Sequence, residues 1–411
     1  MADTNLTSIA GGLKNVYDSY IERAQNLAPR TIDEIGKSLK KYSPGGNGYF
    51  GAINDAGNES GGAINEEETF RTIDSESYQQ WKVTPKVLVW PIQFSGLVAS
   101  AAQGDEESFA NLVVDALDRA RDRLMADENR QFFGYGQGIL AQPSGTVASN
   151  LTSFTVNSVQ YLRKNQVVDI YTSTGGSAIT TGLRISFVDH VNLLVGLSAS
   201  VGTALTAGNV IVKQNILAST PPADGKEMMG LRGIVDDGTD LTTFQNLTVS
   251  GTLYEWRSVR INASSANLTS DYLQRLIDSV AIMAPDGEEP DTLIMHKVQR
   301  RKYLDLVVPQ KRFNDGDMDA GFTKLSFNGS EMLLDKDCQV DTVYAVKKDK
   351  IRKFELESIG MGKHEGSDTF LRAINQDVFQ AYWRHYCNFG TSSRLSHGKL
   401  VSLTVPTGIS G

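Results

Sequence analysis

The longest periodic segment of the sequence, residues 105–140, reads DEESFANLVVDALDRARDRLMADENRQFFGYGQGIL. Acidic residues fill its first turn, where they favour a helix start because they face the positive end of the helix dipole. Apolar residues then recur at three- and four-residue spacing from Phe109 to Leu124, with charges on the opposite face. The pattern predicts one helix from Asp105 to about Phe132, roughly 40 Å long, which is long enough to form the backbone of a domain.

The glycines that follow, in GYGQGIL, admit two interpretations. A dinucleotide-binding fingerprint needs a strand before its glycines and a helix after them, so that the pyrophosphate lies at a helix N-terminus. Here the helix comes first. We therefore interpret Gly134 as the end of the helix, with Gly136 and Gly138 turning the chain before Ile139 and Leu140 re-enter the core. No cofactor is expected.

Composition and charge exclude several classes of protein. The chain has 411 residues, enough for two or three domains, and 40% of them are hydrophobic, as in ordinary globular proteins. A net charge of -8 argues against a surface that grips a phosphate backbone, because such a surface needs clustered Lys and Arg. Neither a signal peptide nor an apolar run long enough for a membrane span is present. The two cysteines are expected to be buried and reduced in a cytosolic chain.

An extended region precedes the long helix. A Gly/Asn-rich stretch at 43–65 leads into EETFRTIDSESYQQWKVTPKVLVWPIQFSG (67–96), whose aromatic and β-branched content predicts a long two-stranded ribbon. Such a ribbon is marginal by itself in water, so it either covers a neighbouring subunit or folds back on its own domain. Deleting residues 68–94 is expected to leave a folded core that fails to assemble with its neighbours. The ribbon residues predicted to contact another subunit are Phe70, Tyr78, Trp81, Val87, Val89 and Trp90.

The first residues form an N-terminal arm. Its apolar positions Leu13, Val16, Tyr20 and Ile21 predict an amphipathic helix that packs against a neighbouring subunit or the extended loop. Pro29 ends this helix.

Beyond the long helix, the sequence alternates between β-rich and mixed segments. Strand-like runs at 150–214 predict a small barrel or sandwich, and TPPADGKEMMG (220–230) is interpreted as a linker. From Ser270, a capped helix, the strand DTLIMH and the helix KVQRRKYLDLV predict an α+β unit. The last sixty or so residues look like β-structure that rejoins an earlier sheet.

In order and local pattern these segments resemble the major capsid protein of tailed bacteriophages, which has the Hong Kong ninety-seven-type fold. The resemblance rests on the arm, the extended loop, FSGLVASA before a long spine helix, the GYGQGIL turn, the helix-strand-helix unit and the late strand DTVYAVKKDKIRKFEL. It implies an α+β fold with an N-terminal arm (1–44), an extended loop (45–95), a peripheral domain with the spine helix (96–149), an axial domain (221–347) and a return to the peripheral domain (348–411). The β-rich stretch at 150–220 departs from the family pattern and is predicted to be an insertion.

The resemblance implies a structural protein and no enzyme. Its copies would form the hexamers and pentamers of an icosahedral shell around double-stranded DNA, assembled in the host cytoplasm. The implied partners are a portal at one vertex, decoration proteins, and packaged DNA held without sequence specificity; no membrane is involved. Only about forty residues precede the Gly/Asn stretch, too few for a fused scaffold, so a separate scaffolding protein is predicted. The alternatives are an encapsulin-like compartment and a β-rich hydrolase or adhesin.

Two sets of residues are candidate metal ligands. His385 and Cys387 share a strand face in AYWRHYCNFG but have no third ligand nearby in sequence, and metal sites need three or four ligands. Asp315, Asp317 and Asp319 have calcium-loop spacing, but the glycine and glutamate of a calcium-binding loop are missing from their places. The sequence therefore predicts a packed or hydrogen-bonded histidine, a solvated acidic loop and no metal.

Overall fold

The computed structural model of the chain describes residues 31–32, 40–42, 48–69, 71–73, 75–96, 106–174, 176–216, 225–249, 253–307, 326–362, 371–372 and 377–405. Within these ranges the chain is α+β, and strands are more abundant than helices. This confirms the predicted fold class.

The strands, in chain order, are β1 (Lys40–Tyr42), β2 (Tyr49–Ala56), β3 (Ser77–Val83), β4 (Lys86–Ser95), β5 (Ile139–Ala141), β6 (Leu151–Thr155), β7 (Val167–Tyr171), β8 (Ala178–Asp189), β9 (Leu194–Val201), β10 (Val210–Lys213), β11 (Thr243–Phe244), β12 (Leu247–Thr248), β13 (Val259–Asn262), β14 (Thr292–Met295), β15 (Ser326–Phe327), β16 (Ser330–Leu334), β17 (Val343–Val346), β18 (Ile351–Met361), β19 (Leu371–Arg372), β20 (Val378–Thr391) and β21 (Gly398–Val401). The helices with described bounds are α1 (Glu106–Phe132), α2 (Leu231–Ile234), α3 (Ser270–Met283) and α4 (Lys297–Val307). In the described ranges the strands form three sheets of five or six strands and two separate two-stranded pairs.

Helix α1 confirms the predicted long helix, over 27 residues. At its end the Gly134 N–H donates to the Gln131 carbonyl at 2.8 Å. Gly136 and Gly138 then adopt positive φ angles of 84° and 68°, which glycine reaches at little cost, and Leu140 is buried. The glycine-rich segment thus ends a helix and leads into β5, as predicted.

The first sheet lies against α1 and contains β1, β18, β20, β19 and β4. Strand β4 pairs antiparallel with β20 over ten residue pairs, so it is a long-range partner of the C-terminal part of the chain. Trp383 of β20 faces the helix and donates its indole N–H to the Leu117 carbonyl at 3.0 Å. The predicted return of the C-terminal strands to an earlier sheet is confirmed for β18 and β20.

The prediction that the two strands within 67–96 pair with each other is wrong. Strand β3 pairs with β2, which lies in the Gly/Asn-rich stretch, while β4 pairs with β20. The connection between β3 and β4 is Thr84–Pro85. A residue before proline is held extended, and neither residue suits the left-handed conformation of a two-residue hairpin turn. The two strands therefore separate, and the extended hairpin is formed by β2 and β3.

The second sheet is antiparallel, in the order β5-β10-β7-β8-β9-β6. Its two end strands are joined just beyond their ends: the Ser144 N–H donates to the Thr155 carbonyl at 3.1 Å, and the Asn157 N–H donates to the Gln142 carbonyl at 2.8 Å. The sheet therefore closes on itself around an aliphatic interior. Of the two predicted forms, barrel and sandwich, the chain adopts a small barrel, and it begins at β5 rather than near residue 150.

The third sheet has the order β13-β21-β17-β14-β16-β15, and α3 packs on β13 and β21. Helix α3 begins as predicted, with the Thr269 side chain accepting a hydrogen bond from the Tyr272 N–H at 3.2 Å. This cap satisfies one of the free N–H groups of the first turn. Strand β14 and helix α4 follow, which confirms the helix-strand-helix unit.

The C-terminal segment divides between two sheets, and one predicted linker is wrong. Within the segment 348–411, strand β21 lies between β13 and β17 in the third sheet, whereas β18 and β20 belong to the first sheet. The segment 220–230 was interpreted as a linker, yet Met228 and Met229 belong to the main core, and the Met228 N–H donates to the Gln131 side chain at 3.1 Å. The Pro and Gly residues of this segment predict a linker, but burial of the two methionines holds its second half in the core. Burying an apolar side chain stabilises the fold by roughly 1.5–3 kcal/mol.

One buried arginine joins three segments of the chain. Arg394, between β20 and β21, is completely buried. Its guanidinium donates to the carbonyls of Ile234 at 2.9 Å, Trp256 at 3.0 Å and Gly233 at 3.0 Å, and it lies 4.7 Å from the centre of the Phe244 ring. Burial lowers the pKa of Arg394 to about 10, so the group remains charged at neutral pH.

In the part of the chain that the structure describes, no helix is both long enough and apolar enough to cross a membrane.

Candidate subunit interface

The hairpin of β2 and β3 is anchored at its base. The Trp81 side chain is only 4% exposed, and the Tyr49 and Trp81 rings pack on Phe354 of β18 with centroid distances of 4.5 and 6.2 Å. The Lys82 N–H donates to the Gln245 carbonyl at 2.9 Å. Aromatic pairs of this kind stabilise by about 0.5–1.5 kcal/mol beyond their buried area. The base of the hairpin is therefore part of the core.

Gly51 is required for this anchoring, because a Cβ atom there would lie 2.1 Å from Cζ2 of Trp81. We expect Gly51→Val to destabilise the subunit by about 1–3 kcal/mol, the usual cost of overpacking a core. Gly57→Val is the matched control, since its Cβ would meet no atom within 4 Å. Urea unfolding of both variants checks the prediction, and equal midpoints would contradict it.

Within the described residues, the outer face of the hairpin is largely uncovered, while Ile53 on the other face packs against the main core. Side chains alternate along both strands, as the pleat requires, and the outer face carries Phe50 (51% exposed) and Tyr78 (60% exposed). The connection from 57 to 76 is almost entirely exposed where it is described. An unsupported hairpin is marginally stable. This surface is thus suited to burial against another chain.

The outer face of the first sheet offers a second apolar surface. Val87 and Val89 of β4 are 64% and 45% exposed. Their cross-strand neighbours on β20 are Tyr386 and Arg384, and Arg384 forms an ion pair with Glu357 at 2.7 Å. An apolar centre beside paired charges is the usual composition of a subunit contact.

The predicted contact residues fall into separate groups. Tyr78, Val87 and Val89 are exposed, Trp81 is buried within its own subunit, and Trp90 is half-buried with the Lys213 ammonium 4.7 Å from its ring centre. The remaining predicted contacts, Phe70, Leu13, Val16, Tyr20 and Ile21, lie outside the described residues, as does the acidic loop with Asp315, Asp317 and Asp319. Sequence reasoning missed exposed Phe50, because the Gly/Asn content around it predicted a flexible segment.

A cavity of about 380 Å³ lies beside the glycine turn, between the end of α1, the start of the barrel and residues 339–341. Both arginines of its described lining are already paired. Arg130 contacts Asp127 at 3.0 Å and also Glu227, and Arg232 contacts Asp240 at 2.8 Å. Paired guanidinium groups are poor partners for a phosphate, so the lining gives no support to the nucleotide interpretation.

A buried polar cluster connects α1 with β18 and β20. His385 Nδ1 contacts the Glu128 carboxylate, and His385 Nε2 lies 2.8 Å from the Glu355 carboxylate, which pairs with Lys353 at 3.1 Å. The Cys387 sulfur lies 3.4 Å from His385 Nδ1. Burial, followed by the Glu128 charge, raises the pKa of the Cys387 thiol well above its usual range. Glu128 lies 257 residues from His385, so no sequence pattern indicated it.

No protein-family model matches the chain, and no curated protein matches it in sequence. Solved structures do. The capsid asymmetric unit of cyanophage A-1(L) is 10% identical, with a TM-score of 0.56 over 95% of this chain and 97% of that chain. The capsid of Myoviridae phage XM1 is 9% identical, with a TM-score of 0.48 over 96% and 98% of the two chains. The holo-SrpI encapsulin of Synechococcus elongatus is 7% identical, with a TM-score of 0.46 over 98% and 97%.

Because the two chains are only 10% identical, the likeness to the cyanophage capsid shows the fold alone. The chain has the fold of a viral capsid subunit. More particularly, it is the Hong Kong ninety-seven-type fold of tailed phages, as the resemblance in sequence order predicted.

Proposed function

We propose that the chain is a major capsid protein, whose hexamers and pentamers form the icosahedral shell around the double-stranded DNA of a tailed phage. The observation that carries this proposal is the hairpin of β2 and β3. Its base is fixed in the core by Trp81, while its outer face presents Phe50 and Tyr78 to solvent. A rigid base with an unburied outer half is what a subunit needs to hold its neighbour.

The energetics favour contact between copies of the chain. Burying exposed apolar area stabilises an interface by about 25 cal/mol per Å² before the cost of association. The hairpin and the face around Val87 and Val89 lie on different elements, so one subunit offers contacts to more than one neighbour. Closed shells need such heterologous contacts, in which two different surfaces meet.

The remaining partners follow from the proposed role. A separate scaffolding protein directs assembly in the host cytoplasm, and a portal occupies one vertex. The packaged DNA is contacted without sequence specificity. A net charge of -8 favours weak rather than tight binding between the shell and the packaged DNA. Each contact with a phosphate would instead strengthen that binding in a salt-dependent way.

Electron microscopy of the purified protein tests the proposal. We expect closed shells of mixed size when the chain is expressed alone, and uniform shells when it is co-expressed with its scaffolding protein. A protein that stays monomeric at high concentration under both conditions would contradict the proposal. Uniform shells that form without a scaffold and copurify with one enclosed enzyme would favour the encapsulin-like alternative.

A further inference from the structure

We propose that Glu128, His385 and Cys387 form a zinc site inside the subunit. A carboxylate oxygen, His385 Nδ1 and the Cys387 sulfur all lie within 4.8 Å of one another, and all three side chains are buried. In a tetrahedral zinc site with bonds of about 2.0–2.3 Å, neighbouring ligand atoms are roughly 3.2–3.8 Å apart. The separation of 3.4 Å between the Cys387 sulfur and His385 Nδ1 agrees with that geometry. His385 Nδ1 and the Glu128 carboxylate are in direct hydrogen-bond contact, closer than that spacing, so these two side chains must move apart for an ion to enter between them.

The histidine is held in the orientation that a ligand requires. Its Nε2 lies 2.8 Å from the Glu355 carboxylate, so an Nε2–H donates to Glu355. Without an ion, Nδ1 and the Glu128 carboxylate share a proton, and loss of that proton would free the Nδ1 lone pair for the ion. Metal-binding histidines almost always have such a partner on the other ring nitrogen. Nδ1 in turn faces both Glu128 and Cys387, and a single proton on Nδ1 serves two partners poorly.

The charges of the cluster balance around a divalent cation. A thiolate at Cys387 and the carboxylate of Glu128 neutralise a Zn²⁺ ion, while Glu355 is neutralised by Lys353 at 3.1 Å. Buried charges are tolerated when they are paired or coordinate a metal. The thiol releases its proton to solvent when the ion binds, since thiolate is the ligand form.

The ligand set selects zinc over the harder cations. Thiolate and imidazole suit zinc, whereas magnesium and calcium prefer oxygen ligands alone. Cys387 and His385 come from β20 and Glu128 comes from α1, so the ion would connect the long helix to the sheet that packs on it. Its role is structural, because the site is enclosed.

Metal analysis and cobalt spectroscopy of the full chain test this proposal. After purification with zinc and extensive dialysis, we expect about one zinc per subunit, as for structural sites of this class. Replacement by cobalt should give a thiolate-to-cobalt absorption band in the near ultraviolet. Cys387→Ser should remove that band, and both Cys387→Ser and His385→Gln should lower the zinc content at least tenfold.

Cys338→Ser is the matched control, because Cys338 is equally buried but lies outside the cluster. It should retain both the zinc and the cobalt band. Folded wild-type protein that binds neither metal would overturn the proposal and leave a histidine bridged by two glutamates. Zinc that persists in both cluster variants would also overturn it, since the ion would then lie elsewhere. The wild-type measurements do not depend on the folding of any variant.

Discussion

Replacing residues 55–77 with an Asn-Gly turn is expected to give a folded subunit that no longer forms closed shells. Asn54 and Tyr78 lie opposite each other in the hairpin, so a two-residue turn can join them. The base, with Tyr49 and Trp81 packed on Phe354, is retained. The thermal midpoint of the unassembled subunit should change by only a few degrees, while electron microscopy should find no closed particles.

The control keeps the length of the hairpin and removes only exposed side chains. Replacing residues 57–65 with a Gly/Ser segment of equal length should leave shell formation intact. Closed shells from the truncated variant would mean that the hairpin does not join subunits, and an unfolded variant would mean that it belongs to the subunit's own core. The deletion of 68–94 considered from the sequence is unsuitable, because it removes most of β4 and breaks its pairing with β20.

Arg394→Met is expected to destabilise the subunit by about 3–5 kcal/mol, the range for breaking a buried charged network. The methionine fills a similar space but leaves the carbonyls of Gly233 and Trp256 without their donor, while the Ile234 carbonyl keeps only the longer hydrogen bond from the Ser258 hydroxyl at 3.3 Å. Each unsatisfied buried acceptor costs about 1–3 kcal/mol. The lower stability should appear as a lower midpoint of urea unfolding. Much of the variant protein should be insoluble when it is expressed.

Arg384→Met provides the comparison for Arg394→Met. Arg384 is partly exposed and pairs with Glu357 at the surface, and an exposed ion pair contributes only about 0–1 kcal/mol. Similar midpoints for the two variants would contradict the role assigned to Arg394. Lysine at position 394 should not rescue stability, since one ammonium cannot reproduce the planar fork of donors.

Sequence patterns predicted those elements whose structure is determined by residues close together in the chain. The periodic face of α1, the cap of α3 and the glycine turn after Gly134 each arise from neighbouring residues, so the sequence indicated them closely. The resemblance in the order of segments then indicated the capsid fold. The pairing of β3 was not predictable in the same way, because its partner lies in a Gly/Asn-rich segment with weak strand propensity.

The candidate sites were predictable only in part for the same reason. Trp81 was predicted to contact another subunit from its residue type, but Gly51 and Phe354 bury it within its own chain. Glu128 joins His385 through packing of α1 on β20. Contacts across such sequence distances depend on the tertiary fold, which residue spacing does not encode.

The position of β21 also constrains how the subunit is made on the ribosome. Strand β21 lies between β13 and β17 in the third sheet, and β20 pairs with β4 in the first sheet. Neither sheet can therefore be completed before residues 378–401 have been synthesised. Until those residues emerge, the nascent chain exposes unpaired strand edges, which invite aggregation and engage chaperones. Synthesis up to residue 401 is therefore a precondition for completing both sheets.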